Sequence, residues 1–165
     1  MIDPDYVRTV AAYNAEMNRW FYGAADTLSD GQRREDCGAF FGSLQATLCH
    51  LVWGDMTWMA LFVGWEKPAV PAQFGPTMIE GWSELKAARA DLDARLVGWA
   101  GTVTRDWLDD ELSWFSGSLQ REMVKPRGLL VVHMTNHQTH HRGQAHAILT
   151  SFGAKTGDTD LPFVL

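Results

Sequence analysis

Four stretches of this chain repeat apolar residues at intervals of three and four, a period that confines it to helices packed side by side. From Tyr6 to about Leu28 the series is Val7, Val10, Tyr13, Met17, Trp20, Phe21, Ala24 and Leu28. A second helix is expected from between Ala39 and Ser43 to Phe62 or Val63, on Leu44, Leu48, Leu51, Asp55, Trp58, Met59 and Phe62. A third carries Met78, Trp82, Leu85, Ala88, Leu92, Leu96 and Trp99, and a fourth has Pro126 in its first turn and runs to about Ser151. Each apolar stripe needs another to cover it. The expected fold is therefore all-α, a four-helix bundle in one domain spanning residues 1–165.

The connections are legible to different degrees. Ser29-Asp30-Gly31 is a stop, followed by a charged connector from Gln32 to Asp36. Gly64 and Pro68 close the second helix, and Trp65 to Gly75 reads as the longest linker. Thr77-Met78-Ile79-Glu80 has the capping-box pattern and is expected to open the third helix, with Gly101 at its end. Between Thr102 and Val124 the helical period is lost, which suits an extended hairpin or irregular crossover. The tail from Ala154 to Leu165 is expected to lie extended over the body.

Composition limits the partners. At 165 residues, 46% apolar and 21% charged, the chain has enough apolar material for one substantial core. Eight tryptophans and eight phenylalanines suit a bundle interior or a pocket wall. A net charge of −6 argues against nucleic acid, whose phosphates demand a basic stripe. No apolar run approaching the roughly twenty residues of a bilayer span is apparent, and the start lacks the flanks of a signal peptide, so a cytoplasmic location and no membrane contact are expected. Cys37 and Cys49 form no CxxC pair and are expected to be reduced, buried thiols.

The chemistry lies in the histidines. Four of the six fall between His133 and His141, on a stretch that reads as a core-forming helix. His133, His137 and His141 are spaced four and four, giving two possible HxxxH pairs, each with both rings on one helix face. His140 lies three after His137, and His146 nine after it. His50, mid-way along the second helix, is the candidate ligand from elsewhere. Three histidines with an open fourth position describe a catalytic rather than a structural zinc site. Without cysteine the same set also takes nickel, cobalt, iron or manganese. The competing account pairs these rings with Asn136, Gln138, Gln144 and backbone.

Neighbouring polar residues have plainer expectations. Asp55, five after His50 and so about 140° round the helix, is expected to pair with an arginine rather than serve the site. Arg142 reads as a salt-bridging side chain and Gly143 as a point of close helix approach. Asn14 and Asn18 are candidates for lining the pocket or for capping and surface hydrogen bonds, and Gln144 for orienting a ligand imidazole. There is no GxSxG, GxxxxGK[ST] or GxGxxG motif, and no HExxH.

The segments Phe40-Phe41-Gly42-Ser43-Leu44, Thr47-Leu48-Cys49-His50-Leu51-Val52-Trp53-Gly54-Asp55 with Trp58, and His133 with Asn136-His137-Gln138-Thr139-His140-His141-Arg142-Gly143-Gln144 together resemble the DinB/YfiT-like family of bacterial metal-binding four-helix proteins. The resemblance spans nearly the whole chain. It implies that His50, His137 and His141 hold a divalent ion, zinc or nickel first and manganese or iron next, with His133 and His140 outside the ligand set. It also implies a homodimer and a small-molecule substrate. The implied activity transfers a low-molecular-weight thiol such as bacillithiol or mycothiol to a small electrophile, or is a related hydrolysis or isomerisation. A non-catalytic, stress-related metal-binding or interaction protein is the alternative.

Overall fold

The computed structural model describes residues 1–117 and 119–165. About 65% of the chain is helical and 9% lies in strands, so the fold is mainly α with a small sheet added. Among the described residues the order is α1 (Pro4–Ala25), α2 (Asp30–Arg34), α3 (Leu44–Val63), a 3-10 turn (Ala72–Thr77), α4 (Trp82–Ala100), α5 (Arg105–Asp109), β1 (Glu111–Ser116), β2 (Arg121–Pro126), α6 (Arg127–Ser151) and α7 (Leu161–Val164). The four long helices match the four apolar series except at two ends, where Leu28 falls beyond α1 and Met78 before α4.

Local chemistry sets the helix ends. Asp3 accepts from the Tyr6 amide at 2.8 Å, with Pro4 opening α1. Ser43 accepts from the Ala46 amide at 3.2 Å and starts α3. Gly64 ends α3 in the left-handed region at φ 72°, donating its amide to Ala60 O.

α1 packs on α4 and α3 on α6, with further contacts between α1 and α6 and between α3 and α4. The interior they share holds Phe21, Leu48, Val52, Leu85, Val131 and Leu149, all essentially inaccessible. Contrary to the expectation of no apolar run near the length of a bilayer span, α3 is the one described helix long and apolar enough to cross a membrane. Half of its most apolar window is buried against its neighbours. A helix covered on several sides loses the polar face that would lower its hydropathy.

Four expectations change. The Thr77–Glu80 capping box does not form: Thr77 closes the 3-10 turn with its hydroxyl directed to Phe74 O, and α4 starts at Trp82 without a side-chain cap. Tertiary contacts hold the intervening stretch open. Glu80 O accepts from Gln45 Nε2 at 2.7 Å and from Arg34 Nη2 at 2.6 Å, and the Ile79 amide donates to Cys49 Sγ at 3.3 Å. A capping box forms instead in the supposed connector, between Ser29 and Gln32 at the start of α2. Cys49 is buried as expected, but Cys37 is exposed. The tail is not extended throughout, since Leu161–Val164 is helical. It does lie over the body, tied by His146 to the Thr156 hydroxyl at 2.7 Å and by the Tyr13 hydroxyl donating to Thr159 O at 2.6 Å.

The region of lost period contains an antiparallel hairpin in which Trp114 faces Met123 and Glu111 faces Pro126. Along β1 exposed residues alternate with half-buried Leu112, Trp114 and Ser116. Pro126, expected in the first turn of the fourth helix, instead ends β2 and precedes α6 as its N-cap residue without a side-chain cap, because it pairs with Glu111, so the hairpin hangs from the start of the helix that carries the histidine stripe.

Candidate metal centre

α6 and α3 pack against each other, and each contributes one turn to the site. On α6, His137 and His141 stand one turn apart on the face toward α3. On α3, His50 and Gly54 occupy the matching turn. The result is that one ligand-type nitrogen from each of His50, His137 and His141 lies within 4.8 Å of the others. His50 Nε2 and His137 Nε2 are 2.9 Å apart. Two nitrogens held at about 2.0–2.1 Å by one tetrahedral ion are roughly 3.3 Å from each other, so small ring movements suffice to seat a cation.

Gly54 makes that approach possible. A Cβ built on it falls 2.9 Å from His137 Cε1, closer than real side-chain contacts allow. The ring of His137 therefore rests against bare helix backbone. Gly143, the position expected to permit close approach, is exposed and has nothing within 4 Å of a built Cβ. The useful signal in the sequence was Gly54's place four residues after His50.

The surroundings keep the three rings uncharged. Burial drives the pKa of His137 down to about 3 and of His50 to about 4, with the neighbouring imidazoles adding to the effect. Burial also lowers that of His141, opposed by its hydrogen bond to Gln144. Aromatic rings pack against two of the three imidazoles. Phe41 lies 4.0 Å from the His50 ring and 5.2 Å from His141, centroid to centroid, and Trp53 stacks 5.8 Å from His50. Phe41 is delivered by the tight turn before α3, where Gly42 adopts φ 76° and its amide donates to Ala39 O at 2.8 Å.

Neutral imidazole is the ligating form, and the polar atoms here suit a cation. Gln144 Oε1 lies 3.0 Å from His141 Nδ1, an acceptor that places the proton there and leaves Nε2 free. Gln144 thus orients a ring as expected, with His141 as its partner. The Nδ1 atoms of His50 and His137 are buried with no hydrogen-bond partner. The two facing Nε2 atoms of His50 and His137, 2.9 Å apart, can share at most one proton, whereas one cation takes the lone pairs of all three rings. These observations fit a divalent ion held by His50, His137 and His141.

The other histidines lie outside the group of converging nitrogens, although the His140 ring is 4.7 Å from that of His141. His133 is exposed, its ring 6.2 Å from that of His137 and 5.1 Å from Trp58. His140 is exposed beside Gln144, and His146 fastens the tail.

Asp55 pairs with an arginine, as its angular position requires: Arg89 Nη1 donates to Asp55 Oδ2 at 2.8 Å, and Arg89 Nη2 sits 2.7 Å from Asp93. Gln138 also donates to Asp55, and Asn18 donates to Asp93 at 3.0 Å. Arg142 makes no salt bridge among the described residues; it donates to Asn14 at 2.7 Å and lies over the Tyr13 ring. Asn14 and Asn18 thus belong to the buried polar network rather than to the histidine cluster. Arg89, which ties this network together, has no motif of its own.

Beside His137 and Gly54 opens a groove of about 930 Å³, walled by α3, residues 67–73, the hairpin and His133. Trp53, Trp58, Trp114 and Phe115 give it an aromatic lining. The site therefore has a route to solvent and room for a guest.

Gly54→Ala separates the site from the fold. Alanine in a helix is favoured over glycine by about 0.8–1.0 kcal/mol, yet the new methyl must displace His137. The variant is expected to match or exceed the parent in metal-free stability while binding zinc about 10–100-fold more weakly, the scale on which ligand misorientation acts. Thermal unfolding with and without zinc checks this, and unchanged affinity would mean that the ring relocates without consequence.

A search of curated proteins returns no match. The sequence profile of the DinB family matches residues 1–165, the whole chain. With that match over its full length, this chain belongs to the DinB family.

Proposed function

We propose that this protein is a divalent-metal-dependent enzyme on a four-helix bundle, which joins a small thiol to a small electrophile. The reading rests on one observation: three neutral imidazoles from α3 and α6 converge beside an open, aromatic-walled groove. A purely structural ion site has no need of such an opening. His50, His137 and His141 hold the ion. Bound there, a divalent ion acts as a Lewis acid that lowers the pKa of a thiol or water brought to its open side.

The chain's own residues supply the rest. Gln144 fixes His141 in the tautomer that exposes Nε2, and Gly54 sets the His137 ring in place. Phe41 and Trp53 keep water from the buried side of the rings, which strengthens electrostatic interactions there. In the reaction the thiol loses its proton to solvent, and its sulfur forms a bond to the electrophilic carbon. The leaving group departs with the bonding pair, so no oxidant or reductant is required.

The test is conjugation of a small thiol to 1-chloro-2,4-dinitrobenzene near neutral pH, with tag-free protein reconstituted with zinc or nickel or treated with chelator. The reconstituted protein is expected to accelerate conjugation, and both the chelated sample and His141→Ala to return it to the background rate. Equal rates in all samples would overturn the catalytic reading. If zinc then still raised the unfolding temperature, the ion would be a non-catalytic fastener between α3 and α6.

A further inference from the structure

The groove beside His137 has a chemical character of its own. Its volume of about 930 Å³ lies near the top of the range of about 300–1,000 Å³ usual for small-molecule sites. It is far larger than a two- or three-carbon substrate needs. Trp58 meets Trp114 edge to face at 6.1 Å and His133 at 5.1 Å, which forms a corner of flat rings. Trp53 forms another wall and is held there by its indole N–H donating to Val70 O at 2.9 Å. Rigid planar walls of this kind favour a planar guest by offset stacking and edge contacts.

The charge around the groove is unlike that of the chain as a whole. The sequence has twenty acidic and fourteen basic residues, yet no carboxylate is among the described residues lining the groove. Lys67 is its one lysine or arginine; it is exposed and forms no ion pair among the described residues. Indole faces alone would also attract a cation, but an unpaired ammonium lining the same groove repels one. The absence of carboxylates removes the repulsion that an acidic guest would meet elsewhere on this protein.

We propose that the groove is the electrophile subsite and takes a planar aromatic compound bearing a carboxylate or similar anionic group. The ring packs in the Trp58–Trp114 corner, the anionic end pairs with Lys67, and the remaining end reaches His137. This rests on the metal-enzyme reading for the word electrophile. The preference for a flat anion stands on the groove alone.

Isothermal titration with 1-naphthaleneacetate, 1-naphthalenemethanol and 1-naphthylmethylammonium tests the assignment on zinc-loaded and on chelator-treated protein. The anion is expected to bind about tenfold more tightly than the alcohol, as a charge-assisted contact allows, and the ammonium most weakly. The order should persist without zinc, because Lys67 rather than a metal ion reads the charge. Lys67→Met should equalise anion and alcohol while leaving the alcohol's affinity unchanged, and Trp114→Leu should weaken all three. Zinc stoichiometry measured on the same variants should stay at the parent value, which verifies that the ligand cluster is intact. Equal binding of the three probes, no binding of any, a preference that disappears with zinc, or indifference to Lys67→Met would overturn the proposal. Failure of zinc to bind, with the probe order intact, would sink the metal reading and leave the groove's preference standing.

Discussion

Arg89→Met is expected to destabilise this protein by about 3–5 kcal/mol, the scale seen when one partner of a buried ion pair is removed. Arg89 is 2% exposed and lies between Asp55 at 1% and Asp93 at 8%. Burial opposes its charge, but Asp93 and Asp55 outweigh that and hold its pKa above the ordinary range. Without the guanidinium, two carboxylates face each other in a closed interior and at least one must take up a proton. Burial already raises the pKa of Asp93 despite Arg89. Losing the arginine raises it further.

The sign of the pH dependence follows. A carboxyl with a folded pKa above its unfolded value is least unfavourable at low pH, and its contribution is lost as pH rises through the folded value. The deficit of Arg89→Met relative to the parent should thus be larger at neutral pH than at mildly acidic pH. Arg89→Lys should recover only part of it, because an ammonium is a single point charge that cannot span both carboxylates as a fork. Urea unfolding followed by tryptophan fluorescence measures all three proteins. A loss below about 1 kcal/mol would place this pair among weak surface-like contacts instead. Since domains are stable by only about 5–15 kcal/mol, the expected loss is a large share of the total.

The second large effect is on metal rather than on folding. His137→Ala is expected to weaken zinc binding by more than about 100-fold, beyond the range typical of residues that merely support a ligand. His137 touches both partners, with its Nε2 2.9 Å from His50 Nε2 and its centroid 4.6 Å from that of His141. Two remaining imidazoles cannot close a site built for three. In the absence of metal the same change should cost little, because it also removes a buried Nδ1 that has no partner. Zinc at about 100 times its dissociation constant should stabilise the parent by about 2.7 kcal/mol and leave the variant unmoved. Calorimetric titration and thermal unfolding of tag-free protein test both halves, and a variant that keeps the parent's zinc affinity would remove His137 from the site.

The histidine cluster was largely legible because its spacing is a property of helices. His137 and His141 share a face whenever the segment is helical, and the segment is helical because Leu130, Val131, Ile148 and Leu149 bury on one side. The mid-helix position of His50 and the family resemblance point to it as the third ligand, but its distance to the pair depends on how α3 lies on α6. Gly54 stands one turn after His50, but only the partner helix shows that the His137 ring presses on it. The capping box at Thr77 failed for a related reason. Its local pattern was sound, but Gln45, Arg34 and Cys49 bind the same stretch from elsewhere in the chain.

What the sequence determined by itself was of short range: four long helices, the loss of helical period before the hairpin, and the pairing of two histidines on one turn. These follow from backbone hydrogen bonding and apolar periodicity, which act within a few residues. The tertiary structure alone decided that a third imidazole meets those two, that a glycine cradles one of them, that Arg89 answers two buried carboxylates, and that tryptophans from α3 and the hairpin enclose a groove. Those outcomes depend on the packing of side chains far apart along the chain, where a shift of one ångström between helices makes or breaks a site.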